Sequence, residues 1–349
     1  MSGRGDLRLR LATRKVLNTM SHHLKKLWQY LLKPTLLVLL IGLAALLQVA
    51  FPSPSWGQKL GQKKDVELRA QQVPASRAAP PKARISAVKS DPADPLKLFS
   101  ATAQGLQVSD NGGRSWQPLA VGGKNEEIFA FAVSQANSSV LFVGRRDGLW
   151  KSQNGGRSWS SLPYPTSIPL SVGVAKNEPQ TLYLATARKG VYKSTDGGYQ
   201  WVGASNGLPE ARAGGRPEEI HTLAVDPLDF NVVYTGLSGH GVYRTLDGGA
   251  SWHEYNRGLP FPMARPIKPP KFAYDSRDSN GLYLAFNEPI HSHLMRTRLY
   301  SLSENEEWVP VEAELPPNFP VLGLVVDGTR HLIQLWGSDA VWEVPLPGK

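Results

Sequence analysis

Four copies of one eight-residue motif constrain this chain more than any other feature of its sequence. Each copy reads Ser or Thr, any residue, Asp or Asn, Gly, Gly, two further residues and Trp. The copies lie at 109–116, 152–159, 194–201 and 245–252, with tryptophans 43, 42 and 51 residues apart. A degenerate fifth copy at 301–308 keeps the Trp without the glycines. Repeats at this period are typical of arrays of small, similar structural units.

Short apolar runs surround each motif in the same order. They alternate apolar and polar residues between Asp-Pro and Gly-Gly turns, which is typical of strands and hairpins. Three such runs precede each motif and a fourth follows it, and four antiparallel strands repeated radially predict an all-β propeller. Residues 85–349 number 265, about 44 for each of six blades. The segment 66–73 is predicted to supply the fourth strand of the last blade, and seven blades are the alternative.

The motif resembles the Asp-box, or BNR repeat, and the resemblance covers roughly residues 85–345. This repeat links the third and fourth strands of blades in sialidases, xyloglucan-type glycosidases, sortilin-like receptors and photosystem II stability/assembly factors. The glycines permit a positive φ, the Asp or Asn side chain accepts hydrogen bonds from the turn, and the Trp packs at the blade edge. The resemblance implies that the boxes lie on the face away from the binding site. The structural box residues are Asn111, Trp116, Asn154, Trp159, Asp196, Trp201, Asp247 and Trp252.

The first 84 residues differ from the rest in charge. Residues 1–33 carry +7, residues 34–57 carry no charge and residues 58–84 carry +5, so residues 85–349 sum to −2. The apolar stretch predicts a transmembrane anchor or a signal peptide cleaved before Gln58, with the preceding cations held in the cytoplasm. Both alternatives deliver the propeller outside the cytoplasm, into a periplasm or a thylakoid lumen. The basic, Pro/Ala-rich segment 58–84, which joins the apolar stretch to the propeller, is predicted to be a tether.

Composition and spacing exclude several kinds of site. The chain has no Cys, which excludes disulfides, Cys–zinc sites and thiol nucleophiles. A nearly neutral domain argues against a nucleic-acid partner. His291 and His293 alternate along the chain, but only Glu288 is nearby as a third ligand. Ser86 stands where the usual sialidase entry motif has Pro. From these observations together, we predict no metal ion, no cofactor and no catalytic residue.

Cationic residues cluster in the loops predicted on the face opposite the boxes. These loops join the second strand to the third and one blade to the next. Cations on one side of a nearly neutral domain attract acidic protein segments; ordinary solvated charges are the alternative. The predicted partner-binding residues are Arg145, Arg146, Arg188, Lys189, Arg212, Arg216, Arg265 and Lys268, and Arg257 and Lys271 fall in the same loops.

These features predict a monomeric, membrane-tethered, non-enzymatic propeller that binds an acidic segment of a membrane complex. Among the families that share the box, the chain looks most like the photosystem II stability/assembly factors, which are lumenal propellers that bind reaction-centre polypeptides. A glycan-binding or sialidase-like propeller of the cell envelope is the alternative. It predicts exposed aromatic residues and a carboxyl pair on the loop face, whereas partner docking predicts a surface rich in Arg and poor in carboxylates.

Overall fold

A computed structural model of the chain describes residues 69–74, 84–210, 219–237, 240–260, 270–275, 281–291 and 294–347. The predicted segments 1–33 and 34–57 lie outside these residues, as does most of the tether. Within the described ranges, no helix has the length and apolar character needed to cross a membrane.

The described residues form six antiparallel sheets of four strands, which confirms an all-β propeller of six blades. Each of the first five blades takes four consecutive strands. Blade 1 contains β2 (Ile85–Ser90), β3 (Leu98–Thr102), β4 (Gly105–Ser109) and β5 (Gln117–Leu119). Blade 2 contains β6 (Ile128–Val133), β7 (Leu141–Arg145), β8 (Gly148–Ser152) and β9 (Ser160–Leu162). Blade 3 contains β10 (Pro169–Val174), β11 (Leu182–Thr186), β12 (Gly190–Ser194) and β13 (Val202–Gly203). Blade 4 contains β14 (Leu223–Val225), β15 (Val233–Leu237), β16 (Gly241–Thr245) and β17 (His253–Glu254). Blade 5 contains β18 (Lys271–Tyr274), β19 (Leu282–His291), β20 (Leu294–Leu302) and β21 (Trp308–Pro310).

Blade 6 joins the two ends of the propeller. It contains β22 (Gly323–Asp327), β23 (Leu332–Trp336) and β24 (Val341–Pro345), and its outer strand is β1 (Gln71–Gln72). Strand β1 runs antiparallel to β24, and the amide of Val73 donates to the carbonyl of Val341 at 2.8 Å. An N-terminal strand is therefore hydrogen-bonded to the last strand of the chain.

The second strand of each of the first four blades is buried along its whole length. Every residue of β3, β7, β11 and β15 is buried, so both sides of these strands face apolar surroundings. The covering residues come from the adjacent blades. In the seam between blades 1 and 2, for example, the rings of Phe99 and Phe131 lie 5.4 Å apart. The core is therefore a set of seams between sheets.

The tryptophans of the repeated motif fill these seams. Trp252 of blade 4 is 2% exposed, and its indole N–H donates to the carbonyl of Ala204, just after blade 3, at 2.8 Å. In the same way Trp201 of blade 3 donates to the carbonyl of Pro163, just after blade 2, at 3.0 Å. A buried indole satisfies its one polar group while covering a large apolar area. The tryptophans of the third and fourth boxes therefore tie their blades to the preceding ones.

The degenerate fifth copy keeps this contact. Trp308 is 1% exposed, and its indole N–H donates to the carbonyl of Tyr255 at 3.0 Å. Glu306 adopts a φ of 58° in the turn before it, a conformation that the other copies assign to glycine. The tryptophan is thus retained at the seam where the glycines are lost.

The polar residues of the box close its turn. In the first copy, the Ser109 hydroxyl donates to Asn111 Oδ1 at 2.9 Å and accepts from the amide of Gly113 at 2.8 Å. In the fourth copy, the hydroxyls of Ser251 and Thr245 donate to Asp247 and hold the pKa of its carboxyl well below the usual range. These carboxyl and amide groups are bonded within their own turns.

Each complete box is also tied to the loop between the first and second strands of its own blade. The amide of the first box glycine donates to a carbonyl of that loop in all four copies. The pairs are Gly112 with Leu96, Gly155 with Ser139, Gly197 with Gln180, and Gly248 with Asn231, at 2.7–2.9 Å. These turns therefore share one end of the propeller, which we call the box face. The loops between second and third strands lie at the other end, the loop face.

The second glycine of each box lies against the preceding blade. A Cβ on Gly249 would lie 2.8 Å from the Cβ of Ala204, and φ at this glycine is 90°. A Cβ on Gly156 would lie 2.6 Å from the Leu119 side chain. By contrast, Gly155 has a φ of 70° and nothing within 4 Å of an added Cβ.

This contrast predicts unequal costs for two alanine substitutions. We expect Gly155→Ala to lower the free energy of unfolding by about 1–2 kcal/mol, the cost of a left-handed non-glycine residue. Gly249→Ala should lose about 1–3 kcal/mol more, because overpacking at Ala204 adds to that cost. Urea unfolding followed by tryptophan fluorescence measures both. Equal losses would show that the close approach between blades at Gly249 contributes nothing.

Candidate partner-binding face

The loop face surrounds one mouth of the central channel, where the first strands of the blades begin. A cavity of about 50 Å³ opens there. Its lining includes Ser86, Phe129, Ser171, His221 and Lys271. The mouth therefore combines one aromatic ring with hydroxyl, imidazole and ammonium groups from four blades and their connections.

Three predicted cations are exposed on the loop face beside this mouth. The guanidinium of Arg146 lies 5.5 Å from the centre of the Phe129 ring, a cation–π arrangement. In the corresponding loop of blade 3, Arg188 is exposed and its amide donates to Ser167 Oγ at 3.2 Å. Lys189 is also exposed, and its ammonium donates to a threonine hydroxyl at 3.0 Å. Neighbouring contacts therefore orient these loops while their charges face solvent.

Arg145 is not part of this accessible surface. It is 1% exposed, its Nε donates to Asp147 Oδ1 at 2.9 Å, and its Nη1 donates to the carbonyl of Val121 at 2.7 Å. Its Nη2 pairs with Asp147 Oδ2, and its guanidinium carbon lies 4.8 Å from the centre of the Trp150 ring. The hydrogen bond from this arginine holds the pKa of Asp147 below its ordinary value. The predicted partner-binding role of Arg145 is corrected, because the guanidinium is committed inside the protein.

Arg257 is engaged with the next blade. Its carbonyl accepts from the amide of Trp308 at 2.9 Å, and its guanidinium lies 3.6 Å from Glu307. Both contacts are made with the degenerate box turn of blade 5. The predicted residues Arg212, Arg216, Arg265 and Lys268 lie outside the described residues.

His221 at the channel mouth was not selected from the sequence. Its Nε2 lies 3.2 Å from Glu219 Oε2, and burial lowers the pKa of the imidazole although the Glu219 carboxylate opposes that effect. Lys271 reaches across the mouth and donates to the carbonyl of Ser86 at 3.3 Å. Phe129 was missed as well. A lone His or Phe carries no sequence signal of this kind, since only the ring of blades brings these residues together.

Carboxylates are interspersed with the cations of the loop face, contrary to the carboxylate-poor surface expected for partner docking. Glu127 pairs with Arg84 at 2.6 Å, and Glu126 lies 3.5 Å from Lys124. Among the described residues the loop face is therefore mixed in charge, and its blade 2 and blade 3 loops carry exposed cations.

The described residues contain no group of three or more His, Cys, Asp or Glu side chains arranged to hold a metal ion. Glu288, the carboxylate near His291 and His293 in the sequence, is paired with Arg298 at 2.8 Å. His293 lies outside the described residues.

Residues 98–258 match the family model described as "Photosynthesis system II assembly factor YCF48". The chain is an Asp-box (BNR-type) β-propeller. The matched segment runs from the second strand of blade 1 to the connection that follows blade 4, a little under half of the chain. No curated protein matches this Asp-box propeller.

Solved structures give the same architecture. A GH74 enzyme from Niastella koreensis is 19% identical with a TM-score of 0.57, over 72% of this chain and 40% of that one. An ancestral GH74 enzyme is 24% identical with a TM-score of 0.52, over 76% of this chain and 35% of that one. This Asp-box propeller thus spans about two fifths or less of these GH74 structures. At such identity, the likeness shows the fold alone.

A structure described as "YCF48 bound to D1 peptide" is 16% identical over 85% of this chain and 99% of that one. Its TM-score is 0.41, which is too low to support an inference about this Asp-box propeller.

Adjacent arginines at the end of β7 offer a direct test of the geometry. We expect Arg145→Ala to lower the free energy of unfolding by about 2–3 kcal/mol, because it removes several hydrogen bonds from a buried charged group. Arg146→Ala removes the same side chain one residue later. It should cost less than about 1 kcal/mol, since only an exposed cation–π contact is lost. Similar losses in urea unfolding would contradict the assignment of Arg145 to the interior.

Proposed function

We propose that this Asp-box propeller is a non-enzymatic assembly or stability factor that binds a polypeptide of a photosynthetic membrane complex. The match of its repeats to the photosystem II assembly-factor family carries the proposal. The proposed position is outside the cytoplasm, tethered through the N-terminal apolar segment.

The loop face supports a partner with an extended, acidic segment. Arg146, Arg188 and Lys189 present positive charge from neighbouring blades, and the Phe129 ring holds the Arg146 guanidinium in place. Charges arranged in this way accelerate encounter with an oppositely charged partner and select its orientation. The box face contributes less to such recognition, because its Asp and Asn side chains are bonded within their turns.

The alternative, a glycan-active propeller, requires carboxyl groups at a defined separation across a sugar. On the loop face, Glu127 is bonded to Arg84 and Glu219 to His221. These local pairings favour a structural use of the two carboxylates. The glycan alternative therefore remains an outcome of the experiment below.

The test compares matched charge reversals on the two faces. The first variant carries Arg146→Glu and Arg188→Glu, and the control carries Arg114→Glu and Arg157→Glu in the box turns, where both arginines are exposed. Full-length chains are immobilised in detergent and exposed to solubilised photosynthetic membranes. We expect the loop-face variant to lose at least about tenfold of the captured reaction-centre polypeptides, since two partner contacts reverse sign. The control should capture as the unaltered chain does.

Equal capture by the loop-face variant would refute docking on this surface. If the unaltered chain enriches no reaction-centre polypeptide, the assembly role is wrong. Release of reducing sugar from envelope glycan by the unaltered chain would establish the enzymatic alternative.

A further inference from the structure

The central channel contains a second feature, separate from the loop-face cations. A cavity of about 210 Å³ opens at the box-face end, and the cavity of about 50 Å³ opens at the other end. Five residues line both cavities and therefore mark the waist of the channel. They are Lys89, Val172, Leu223, Phe272 and Leu324, one each from blades 1, 3, 4, 5 and 6.

Lys89 is the charged member of this otherwise apolar waist. It is the fifth residue of β2, and no hydrogen bond or ion pair joins its ammonium to any residue that the structure describes. Burial lowers the pKa of this amine. Lys89 is half-buried, so channel solvent reaches it. An ammonium partly withdrawn from water and without a protein partner is unfavourable, and a counter-ion offsets that cost.

The carboxylates that line the larger cavity are bonded elsewhere. Asp91 accepts from the amide of Ala93 at 2.9 Å and lies 3.6 Å from the ammonium of Lys97. Asp327 accepts from the guanidinium of Arg330 at 2.7 Å. Both carboxylates are neutralised by their own loops, so neither supplies the counter-ion that Lys89 lacks.

Other groups in the larger cavity suit a negatively charged ligand. The residues Ser90 and Thr329 also line it, and their hydroxyl groups can donate hydrogen bonds. One water molecule needs a cavity volume of only about 10–15 Å³. The larger cavity, at about 210 Å³, therefore admits a polyatomic anion with accompanying water. Bonds between an ammonium and an ionised oxygen are among the stronger hydrogen bonds in proteins.

We propose that Lys89 forms the centre of a binding site for a small oxyanion of the phosphate or sulfate type, entered from the box face. The waist residues provide an apolar wall that strengthens the charge interaction. The site is independent of the partner-binding face, because Lys89 lies inside the channel and its larger opening is at the other end of the propeller.

Isothermal titration calorimetry of the full-length chain in detergent tests this site with inorganic phosphate and, separately, sulfate. Sodium chloride keeps the ionic strength constant. We expect Lys89→Met to weaken binding at least about tenfold, because one charge-assisted contact is lost. Lys89→Arg keeps the positive charge and should restore most of the affinity.

Lys124→Met is the matched control. Lys124 is exposed and lies near Glu126 on the loop face, so its loss changes net charge equally without touching the channel. Thermal unfolding checks that each variant folds. Without anion, Lys89→Met should be at least as stable as the unaltered chain, because a partly desolvated charge without a partner is removed.

Three results would overturn the proposal. If Lys89→Met binds phosphate and sulfate like the unaltered chain, the anion sits elsewhere. If the unaltered chain binds neither anion at millimolar concentration, water alone solvates Lys89. Loss of binding in Lys124→Met equal to that in Lys89→Met would show a general charge effect and would also refute the site.

Discussion

The packing of one blade against the next is the interaction on which the rest of the structure depends. In five of the six seams, among the described residues, a tryptophan of the motif or of its degenerate copy lies in the apolar cluster shared with the preceding blade. Where two tryptophans meet, at Trp116 and Trp336, the rings pack edge to face at 5.8 Å. A blade is apolar on both sides, so it gains stability only between two neighbours, as repeat units do in general. The seam between blades 5 and 6 lacks a box tryptophan and uses Phe319 and Trp342 instead.

Ring closure follows from the same requirement. Blade 6 has no box because its outer strand comes from the other end of the chain, so no hairpin connects its third strand to a fourth. The register of Gln71 with Glu343 and of Gln72 with Trp342 places Val73 inside the seam with blade 1. A strand of only two residues is sufficient to close the ring, because the seam between blades, and not the strand pair, supplies most of the buried apolar area.

The two faces of the propeller have different roles: one holds the blades together and the other is available for binding. The box face carries turns whose polar groups are satisfied internally, and it holds the blades in place. The loop face carries connections of unequal length, whose side chains are free to differ between blades. Arg146 and Arg188 each lie two residues before the glycine that begins the third strand. The guanidinium of Arg146 lies over the Phe129 ring, whereas Arg188 is held through its backbone amide, which donates to Ser167 Oγ. Recognition can therefore be altered in these loops without disturbing the seams.

The repeated motif and the alternation of apolar residues are local properties, so the sequence alone determined the strand content and the position of each box along the chain, and it left six or seven blades open. Which charges reach solvent was decided only by the tertiary structure. Arg145 and Arg146 are neighbours of identical chemistry, and the connection that contains Val121 covers the first and leaves the second exposed. Lys89 reads as an ordinary polar position of an alternating strand, but closing the ring surrounds it with apolar residues from four other blades. Exposure and electrostatic environment depend on residues that are distant along the chain, and those residues approach one another only when the blades pack.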